Sequence, residues 1–295
     1  MKKKNLLLAL LLILSLLMVV FTTGCARKNV FGEGSIKDFS YTADNFSEIE
    51  IRDIYLKGNN VYGPKVNILP GAEKKITISM DENFENEIKV KKYGNKKIIQ
   101  GNRAHTLVTD RFEINLYGYV LSNIDLSGAC EATVSSLCVD KNDLDIELSG
   151  ASTLELDSYD GVNLSCELSG ASILSIGDCK VKDSDFELSG ASDISISNLK
   201  TTKLDLDVSG ASKIYLLLGS TTTFSGEVSG ASEVEAKTFE VENGKIDLSG
   251  ASRMSVKVNQ SLTGEVSGVS TLNYSGEGNV NVRVSGGSSA KKVAE

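Results

Sequence analysis

Tryptophan is absent from this 295-residue sequence, histidine occurs once (His105), and proline occurs only at Pro64 and Pro70. A single histidine gives little support to a Ser-His-Asp site, in which an imidazole must lie between a serine and a carboxylate. Without tryptophan, the sequence lacks the largest aromatic side chain available for stacking against a ligand. These absences weigh against a histidine-centred hydrolase and against strong sugar binding through aromatic stacking.

The chain has fewer basic than acidic residues, 31 against 39, and its formal net charge is −8. Three of the basic residues, Lys2, Lys3 and Lys4, lie in the N-terminal targeting segment, so the remaining chain is more acidic still. Such a chain repels nucleic-acid phosphates, and the sequence therefore predicts no nucleic-acid partner. The acidity by itself indicates a well-solvated surface.

The N-terminus has the pattern of a secretory signal. The three lysines precede an apolar run over residues 6–21 that only Ser15 interrupts. This run is too short and wrongly flanked for a membrane-spanning helix. We therefore interpret residues 1–24 as a signal peptide.

The signal ends in Thr22-Thr23-Gly24-Cys25, which resembles a bacterial lipobox, although Thr22 replaces the usual aliphatic residue. The sequence predicts acylation of Cys25, followed by a linker up to residue 35; the alternative is an ordinary cleaved signal with an incidental Cys25. A lipid anchor without another apolar span predicts an exported protein, held on the bacterial cell membrane or outer membrane and facing away from the cytoplasm.

The dominant feature of the chain is the tetrapeptide Ser-Gly-Ala-Ser, or a close variant, at intervals of 22, 20 or 18 residues. A fixed period near 20 residues is typical of a stacked-repeat protein. We predict regular rungs over residues 121–290 and a tail over 291–295. The repeat glycines are Gly128, Gly150, Gly170, Gly190, Gly210, Gly230, Gly250, Gly268 and Gly286.

The positions two before and four and six after each glycine are apolar in nearly every repeat, as Leu168, Leu174 and Ile176 illustrate. A spacing of two is what strands facing a common interior require. The sequence therefore predicts an all-β fold, a right-handed parallel β-helix with rungs of about 20 residues. The leucine-rich repeat frame and a six-residue sub-period, which would indicate other solenoids, are both missing.

Residues 36–120 contain no Ser-Gly-Ala-Ser, but short segments such as Ile49-Glu50-Ile51 and Ile76-Thr77-Ile78 alternate between apolar and polar side chains. Alternation of this kind predicts strands with one buried face. We interpret this region as irregular first rungs, or a cap, covering the end of the stack.

The Ser-Gly-Ala-Ser turn is best explained structurally. Glycine permits a bend that a Cβ would obstruct, and the small neighbours let rungs approach closely. The serines before the glycines are predicted to form a ladder of hydroxyls that donate to one another. A Ser-Gly repeated nine times cannot be a single catalytic centre.

The position three before each glycine is acidic in eight consecutive repeats, and we name these eight residues the acidic column. Two unit charges about 4.8 Å apart in water repel by roughly 0.9 kcal/mol, so the column calls for compensation. Bound cations such as calcium, or a cationic polymer, would supply it; the alternative is a solvated face that discourages aggregation. The acidic column consists of Asp125, Glu147, Glu167, Glu187, Asp207, Glu227, Asp247 and Glu265.

Four cysteines follow the lipobox: Cys130, Cys138, Cys166 and Cys179. They lie mostly on different rungs, and partners two rungs apart exceed the roughly 7 Å Cα separation that a disulfide allows. Only Cys130 and Cys138 share a rung, so a disulfide is geometrically possible for that pair alone. Buried free thiols that fill small apolar spaces explain all four cysteines better.

The sequence resembles the putative auto-transporter adhesin, head GIN domain family. The resemblance covers residues 39–288 and rests on Phe46-Ser47-Glu48-Ile49-Glu50-Ile51, on residues 112–119, on Ile124-Asp125-Leu126-Ser127-Gly128-Ala129 and on the recurring rungs. It implies a right-handed β-helix, often preceded by a lipobox, and it supplies no catalytic residues.

We therefore predict a non-catalytic, lipid-anchored surface protein without a cofactor, an adhesin or envelope binding module for a surface polysaccharide. One alternative is an envelope scaffold or signalling accessory that binds protein. A polysaccharide lyase or hydrolase is a further alternative that rests on fold analogy only. The acidic residues follow the repeat rather than gather at one irregular rung, which argues against an enzyme.

Overall fold

A computed structural model of the chain describes residues 27–59 and 61–294. Strands make up 63% of the protein and helix 3%, and the strands form a β-solenoid of about eight turns with rungs about 20 residues apart. The predicted all-β solenoid is confirmed. The predicted signal peptide, residues 1–24, and Cys25 lie outside the described residues.

The described residues form 25 strands and two short 3₁₀ helices, Glu82–Glu87 and Ser136–Cys138. The strands are β1 (Lys28–Phe31), β2 (Ile36–Tyr41), β3 (Glu48–Arg52), β4 (Leu56–Lys57), β5 (Lys65–Leu69), β6 (Lys75–Asp81), β7 (Ile88–Tyr93), β8 (Lys96–Gly101), β9 (His105–Val108), β10 (Glu113–Tyr117), β11 (Asn123–Leu126), β12 (Glu131–Val134), β13 (Asp143–Leu148), β14 (Thr153–Asp160), β15 (Asn163–Leu168), β16 (Ile173–Lys180), β17 (Asp183–Leu188), β18 (Asp193–Val208), β19 (Lys213–Leu216), β20 (Gly219–Val228), β21 (Glu233–Leu248), β22 (Arg253–Val266), β23 (Thr271–Ser275), β24 (Asn279–Val284) and β25 (Ser289–Lys292).

Each regular rung contributes a strand to two long parallel sheets that meet at the Ser-Gly-Ala-Ser turn. The sheet before the turn, which we name the column sheet, runs β7-β8-β3-β11-β13-β15-β17 and continues through the second halves of β18, β20, β21 and β22 to β24. The sheet after the turn runs β2-β6-β10-β5-β12-β14-β16 and continues through β18, β19, β21, β22 and β23 to β25. A short third side, in which Tyr159, Cys179 and Leu199 pair in succession, closes each rung.

The alternation in the sequence determines which side chains enter the core. Strand β13 alternates exposed and buried residues over its whole length, and β15 repeats the pattern in register. The three predicted apolar columns are buried through most of the stack; Leu168 and Leu174, for example, are at most 1% exposed. This burial ends at the last rung, where the Val284 side chain is 44% exposed.

The N-terminal end departs from the regular pattern. Antiparallel pairing occurs only there among the described residues, in β2–β6, β6–β10 and β7–β8. In a regular rung, the Ser-Gly-Ala-Ser turn connects the strands of the two long sheets. In the N-terminal region, β4 and β9 stand at that position in the chain, and they form a small parallel sheet with β1. The division of the chain at residues 36–120 and 121–290 stays a prediction.

Strands extend across two of the predicted boundaries. Residues 28–31, predicted as linker, form β1 because their backbone pairs in register with residues 105–108 of β9. The predicted tail begins inside a strand, since Lys291 and Lys292 belong to β25 and pair with β23.

Candidate functional site

The repeat glycines form the corner on which the candidate site is built. All nine have a positive φ, between +69° and +98°, which side chains other than glycine rarely adopt. The amide that follows each glycine from Gly150 onward donates to the carbonyl oxygen of the glycine one rung earlier, at 2.6–2.8 Å. A Cβ on Gly150 would collide with that same carbonyl oxygen of Gly128. Conformation and close approach therefore both require glycine.

The serines of the turn behave differently from the predicted ladder. The serine after the alanine is the buried one, and Ser152, Ser172 and Ser192 each donate 2.9 Å hydrogen bonds back across their own turns. The serines before the glycines form no hydroxyl-to-hydroxyl bond within the described residues; Ser209, for example, donates to the Leu188 carbonyl at 3.2 Å. The hydroxyl ladder was wrong because carbonyl oxygens of the turn and the previous rung accept instead.

The acidic column lies on one face of the column sheet. Each member pairs directly with the member on the next rung, from Asp125 with Glu147 to Asp247 with Glu265. Asp125 is half-buried, and the other seven members are exposed. The structure therefore brings together all eight residues that the sequence pattern singled out.

A ninth carboxylate extends the column, and sequence reasoning missed it. Glu50 on β3 pairs with Asp125 and is 8% exposed. Its carboxylate contacts the Arg52 guanidinium at 2.6 Å and the Lys96 ammonium at 3.5 Å. The acidic-apolar alternation around Ile49 was visible, but no Ser-Gly-Ala-Ser follows it to give its register.

Within the described residues, ion pairs reach this row of carboxylates at its two ends. Besides the cations at Glu50, Arg283 on β24 pairs with Glu265 at 3.2 Å. Between the ends, no ion pair within residues 27–59 and 61–294 involves Glu167, Glu187, Asp207, Glu227 or Asp247. Lys203 and Lys245 lie on the same face between the ends, and Lys203 contacts Asp205 in the neighbouring row. A shallow cavity of about 110 Å³ lies beside Glu167, Glu187 and Asp207.

The electrostatic cost of this arrangement appears at the N-terminal end of the column. Burial, together with the charges of Glu147 and Glu50, raises the pKa of Asp125 to about 6, although Lys96 and Arg52 act in the opposite direction. In the neighbouring row, burial and then Asp143 raise the pKa of Asp145. A surface of this kind attracts cations.

The described residues do not form a cluster of side chains suited to coordinate calcium. No group of three or more histidine, cysteine or acidic side chains in the described part of the chain lies close enough to hold a metal ion. Calcium prefers six to eight oxygen ligands, whereas the column spreads its carboxylates one per rung. The geometry thus suits a row of separate cationic groups better than one coordinated ion.

The four cysteines are buried and free. Burial raises the pKa of Cys130 and of Cys179 to about 12, and it raises the pKa of Cys166 well above its usual value. Thiolates are the reactive form of cysteine, so these side chains are inert fillers of the core.

The His105 ring makes its hydrogen bonds with residues outside the Ser-Gly-Ala-Ser turns. Its Nδ1 is 2.7 Å from Glu87 and 3.1 Å from the Asn102 amide nitrogen. Both partners stand on irregular N-terminal segments, and neither is a serine. The geometry gives no support to a Ser-His-Asp arrangement.

One further cleft was also missed by sequence reasoning. It measures about 600 Å³ and lies at the N-terminal end, beside the small sheet β1-β9-β4. Its lining includes Phe31, Ile36, Lys57, Asp81 and Arg111. The sequence lacks periodicity in these segments, so nothing indicated that they converge.

Lipidation of Cys25 remains a prediction, because that residue lies outside the described ones. No helix among residues 27–59 and 61–294 is long and apolar enough to cross a membrane.

Comparison with known proteins places this geometry among related molecules. The family described as "putative auto-transporter adhesin, head GIN domain" matches residues 62–217 and 177–278. A structure described as a putative adhesin from Parabacteroides merdae is 18% identical, with a TM-score of 0.65 over 90% of this chain and 100% of the other. A second from Parabacteroides distasonis, described in the same words, is 15% identical with a TM-score of 0.64 over the same shares.

A further structure from Parabacteroides distasonis, described as a putative lipid binding protein, is 17% identical with a TM-score of 0.63, again over 90% and 100% of the two chains. No curated protein matches the chain. At these identities the solved structures support the fold alone.

Proposed function

Because the chain belongs to the putative auto-transporter adhesin, head GIN domain family, we propose that it is a non-catalytic, lipid-anchored protein of the cell surface that adheres to a cationic surface polymer. One observation carries the proposal: eight acidic residues stand in register on one face of the column sheet. A row of carboxylates repels like charge and attracts partners of the opposite sign.

The shape of the face suits an extended partner. From Asp125 to Glu265 the column crosses seven rung spacings, which is about 34 Å at 4.8 Å per rung. Its middle five members have no ion pair within the described residues, so their charges are open to a partner. A polymer with regularly spaced ammonium groups would contact several carboxylates at once and gain from multivalency.

The lipid anchor would set the position of this face. Cys25 lies three residues before β1 begins at Lys28, at the irregular N-terminal end. An acyl group there would hold that end near the membrane and leave the regular rungs free outside the cytoplasm. Stable anchoring would come from the acyl chains, since a single chain binds membranes only weakly.

The protein-binding scaffold uses the same face, because a protein rich in lysine and arginine presents the same charges as a polyamine. The enzyme alternative gains no support from the geometry: the carboxylates repeat rung by rung, and the His105 ring lies against Glu87 and Asn102, neither of which is a serine. Adhesion to a cationic polysaccharide is therefore the function we propose.

The test compares oligomers of glucosamine with the same oligomers N-acetylated, which differ in charge and share a backbone. The full chain is titrated with each in a detergent that has no sugar headgroup. We expect binding to the glucosamine oligomer that weakens at least tenfold in the triple variant Glu167→Gln, Glu187→Gln, Asp207→Asn. Raising the salt from about 50 to 300 mM should weaken it as well.

The matched control removes the same charge from another side of the solenoid, with Glu155→Gln, Asp157→Asn and Asp160→Asn, and should bind as the parent does. Equal binding of the two oligomers, or equal behaviour of the two triple variants, would contradict adhesion through the acidic column. Retention on polylysine with no binding of either oligomer would transfer the function to a protein-binding scaffold. Shortening of the oligomer would show catalysis.

A further inference from the structure

The N-terminal cleft, lined by Phe31, Ile36, Lys57, Asp81, Asp110 and Arg111 among others, is a built cavity outside the acidic column. Its volume of about 600 Å³ falls within the range of ligand sites in proteins. It lies where the small sheet β1-β9-β4 replaces the compact Ser-Gly-Ala-Ser corner. In the regular rungs the repeat glycines of successive turns are in close contact at this corner, whereas at the N-terminal end a cleft lies beside the small sheet.

A buried carboxylate fixes one wall of the cleft. Asp81 is only 2% exposed; its Oδ2 accepts a 2.6 Å hydrogen bond from the Thr109 hydroxyl, and its Oδ1 accepts one of 2.7 Å from the Gly34 amide. The backbone of Gly32 passes so close that a Cβ there would collide with this carboxylate. The wall is therefore held in one arrangement before any ligand arrives.

A second set of hydrogen bonds holds the strand end that carries Phe31. The Asn83 side chain donates to the Phe31 carbonyl at 2.8 Å and accepts from the Glu33 amide at 3.3 Å. The Phe31 ring itself stays 65% exposed at the rim, and Ile36 is 41% exposed beside the same cleft. Exposed apolar side chains on a fixed backbone are a ready contact surface at low entropic cost.

The charges around the cleft balance. Lys57 and Arg111 supply two positive charges, and Asp81 and Asp110 supply two negative ones. A phosphate or another anion would need an excess of cations, and an ammonium would need an excess of carboxylates. Hydroxyl groups, in contrast, both donate to carboxylates and accept from lysine and arginine. The lining therefore suits an uncharged ligand rich in hydroxyls that also has an apolar face for Phe31.

We propose that this cleft binds an uncharged saccharide unit, with one face of the sugar ring against Phe31 and its hydroxyls toward Asp110, Lys57 and Arg111. The inference deepens the proposed adhesion and rests on it, since it adds a second, neutral contact to the polymer that the acidic column holds by charge. Binding at the cleft would recognise the end or a branch of the polymer, because the cleft is confined to one end of the solenoid.

The experiment measures saccharide binding to the full chain by saturation-transfer NMR and titration calorimetry, in a detergent without a sugar headgroup. The probes are neutral tetrasaccharides of glucose, galactose and mannose, with sorbitol as a hydroxyl-rich compound that has no ring. The test variant is Phe31→Ala, which alters an exposed ring and leaves the core intact. The control is Tyr93→Ala on β7, an aromatic side chain that is 58% exposed and outside the cleft.

We expect at least one tetrasaccharide to bind the parent, Phe31→Ala to weaken that binding at least tenfold, and Tyr93→Ala to change it less than twofold. Asp110→Asn should weaken it as well. The inference is overturned if no tetrasaccharide binds, if sorbitol binds equally well, or if the two aromatic variants behave alike. Phe31-dependent binding to phosphatidylcholine vesicles without a saccharide signal would also overturn it, in favour of a lipid surface.

The two proposals can fail separately. The triple variant of the acidic column should bind neutral tetrasaccharides as the parent does. If that variant loses the glucosamine oligomer while no neutral saccharide binds anywhere, the cleft inference fails and adhesion through the column stands. If Phe31→Ala loses the neutral saccharide while the column variant has no effect, the column fails and the cleft stands.

Discussion

The glycine at each corner has two separate roles that substitution can tell apart. Gly190 has φ +75°, and a Cβ on it would also collide with the Gly170 carbonyl oxygen. Gly94, in the β7–β8 hairpin, has φ +58° but faces open space. Gly94 therefore isolates the conformational role, and Gly190 combines it with close packing between rungs.

We expect Gly94→Ala to lower the free energy of unfolding by about 1–2 kcal/mol, the usual cost of a left-handed conformation. Gly190→Ala should lower it by about 3 kcal/mol or more, because a steric clash within the stack adds to that cost. Urea denaturation followed by circular dichroism measures both. Equal losses in the two variants would mean that the corner tolerates a Cβ and that the stack is looser than described.

Asp125 connects the acidic column to pH-dependent stability. Its pKa is raised to about 6, above the value near 4 of an aspartate in an unfolded chain. The folded protein therefore holds this proton more tightly, so the free energy of unfolding should fall as the pH rises from about 4 through 6.

The variant Asp125→Asn should raise the free energy of unfolding at pH 7.5 by about 1 kcal/mol, a value reduced for partial solvent screening. At about pH 3 it should have almost no effect, since the carboxyl is then largely protonated in both states. Thermal unfolding at both pH values measures this, with the exposed Glu187→Gln as control. A gain that is the same at both pH values would show that charge is not its cause.

Edge strands are where the solenoid is most exposed to unwanted pairing. Within the described residues β7 pairs with β8 alone, so its other backbone edge faces outward. Three exposed lysines stand along it: Lys89, Lys91 and Lys92. Charged side chains on an edge strand oppose pairing with a second molecule.

Replacing these lysines together (Lys89→Thr, Lys91→Thr, Lys92→Thr) should make the chain associate as its concentration rises, which light scattering detects. The control replaces Lys180, Lys182 and Lys200, exposed lysines within the stack, by threonine and removes the same charge away from the edge. If both triple variants associate equally, the loss of solubility comes from net charge and not from the edge.

Sequence pattern predicts the strands of this protein wherever the period holds. From Gly128 onward, each glycine marks a turn, and the apolar columns predict both the buried face and the pairing register. Before that point the partners of each strand are set by long-range contacts: β3 lies between β8 and β11, and no local motif indicates it. Glu50 and the N-terminal cleft were missed for this reason.

Within the periodic part, the errors concern choices between chemically similar groups. Both serines of the turn are small and polar, and only the geometry decides that Ser172 is buried while Ser169 supplies the accepting carbonyl. The acidic column was predictable member by member, because it follows the glycine. Its compensation was predictable only in part: Arg283 stands three residues before Gly286 and pairs in register with Glu265, whereas Arg52 and Lys96 lie on β3 and β8, where no Ser-Gly-Ala-Ser gives the register.

The molecule as a whole is a one-dimensional stack, and its stability should follow from contacts between neighbouring rungs. Deleting residues 171–190 removes one full rung and joins Gly170 to Ala191 inside equivalent turns. Glu167 would then lie beside Asp207, and Leu168 beside Val208, so the acidic and apolar columns stay continuous. Deleting residues 171–180 alone shifts every later strand by half a rung and brings the strands of one sheet against the other.

We therefore expect the full-rung deletion to fold, with unchanged strand content per residue and a melting temperature lower by only a few degrees, because it removes one repeat and one interface. The half-rung deletion should fail to fold cooperatively. Circular dichroism and size-exclusion chromatography of both variants measure the difference. If the full-rung deletion collapses like the half-rung one, the rungs are not interchangeable units. Stability would then depend on particular long-range contacts, most directly those of the irregular N-terminal end.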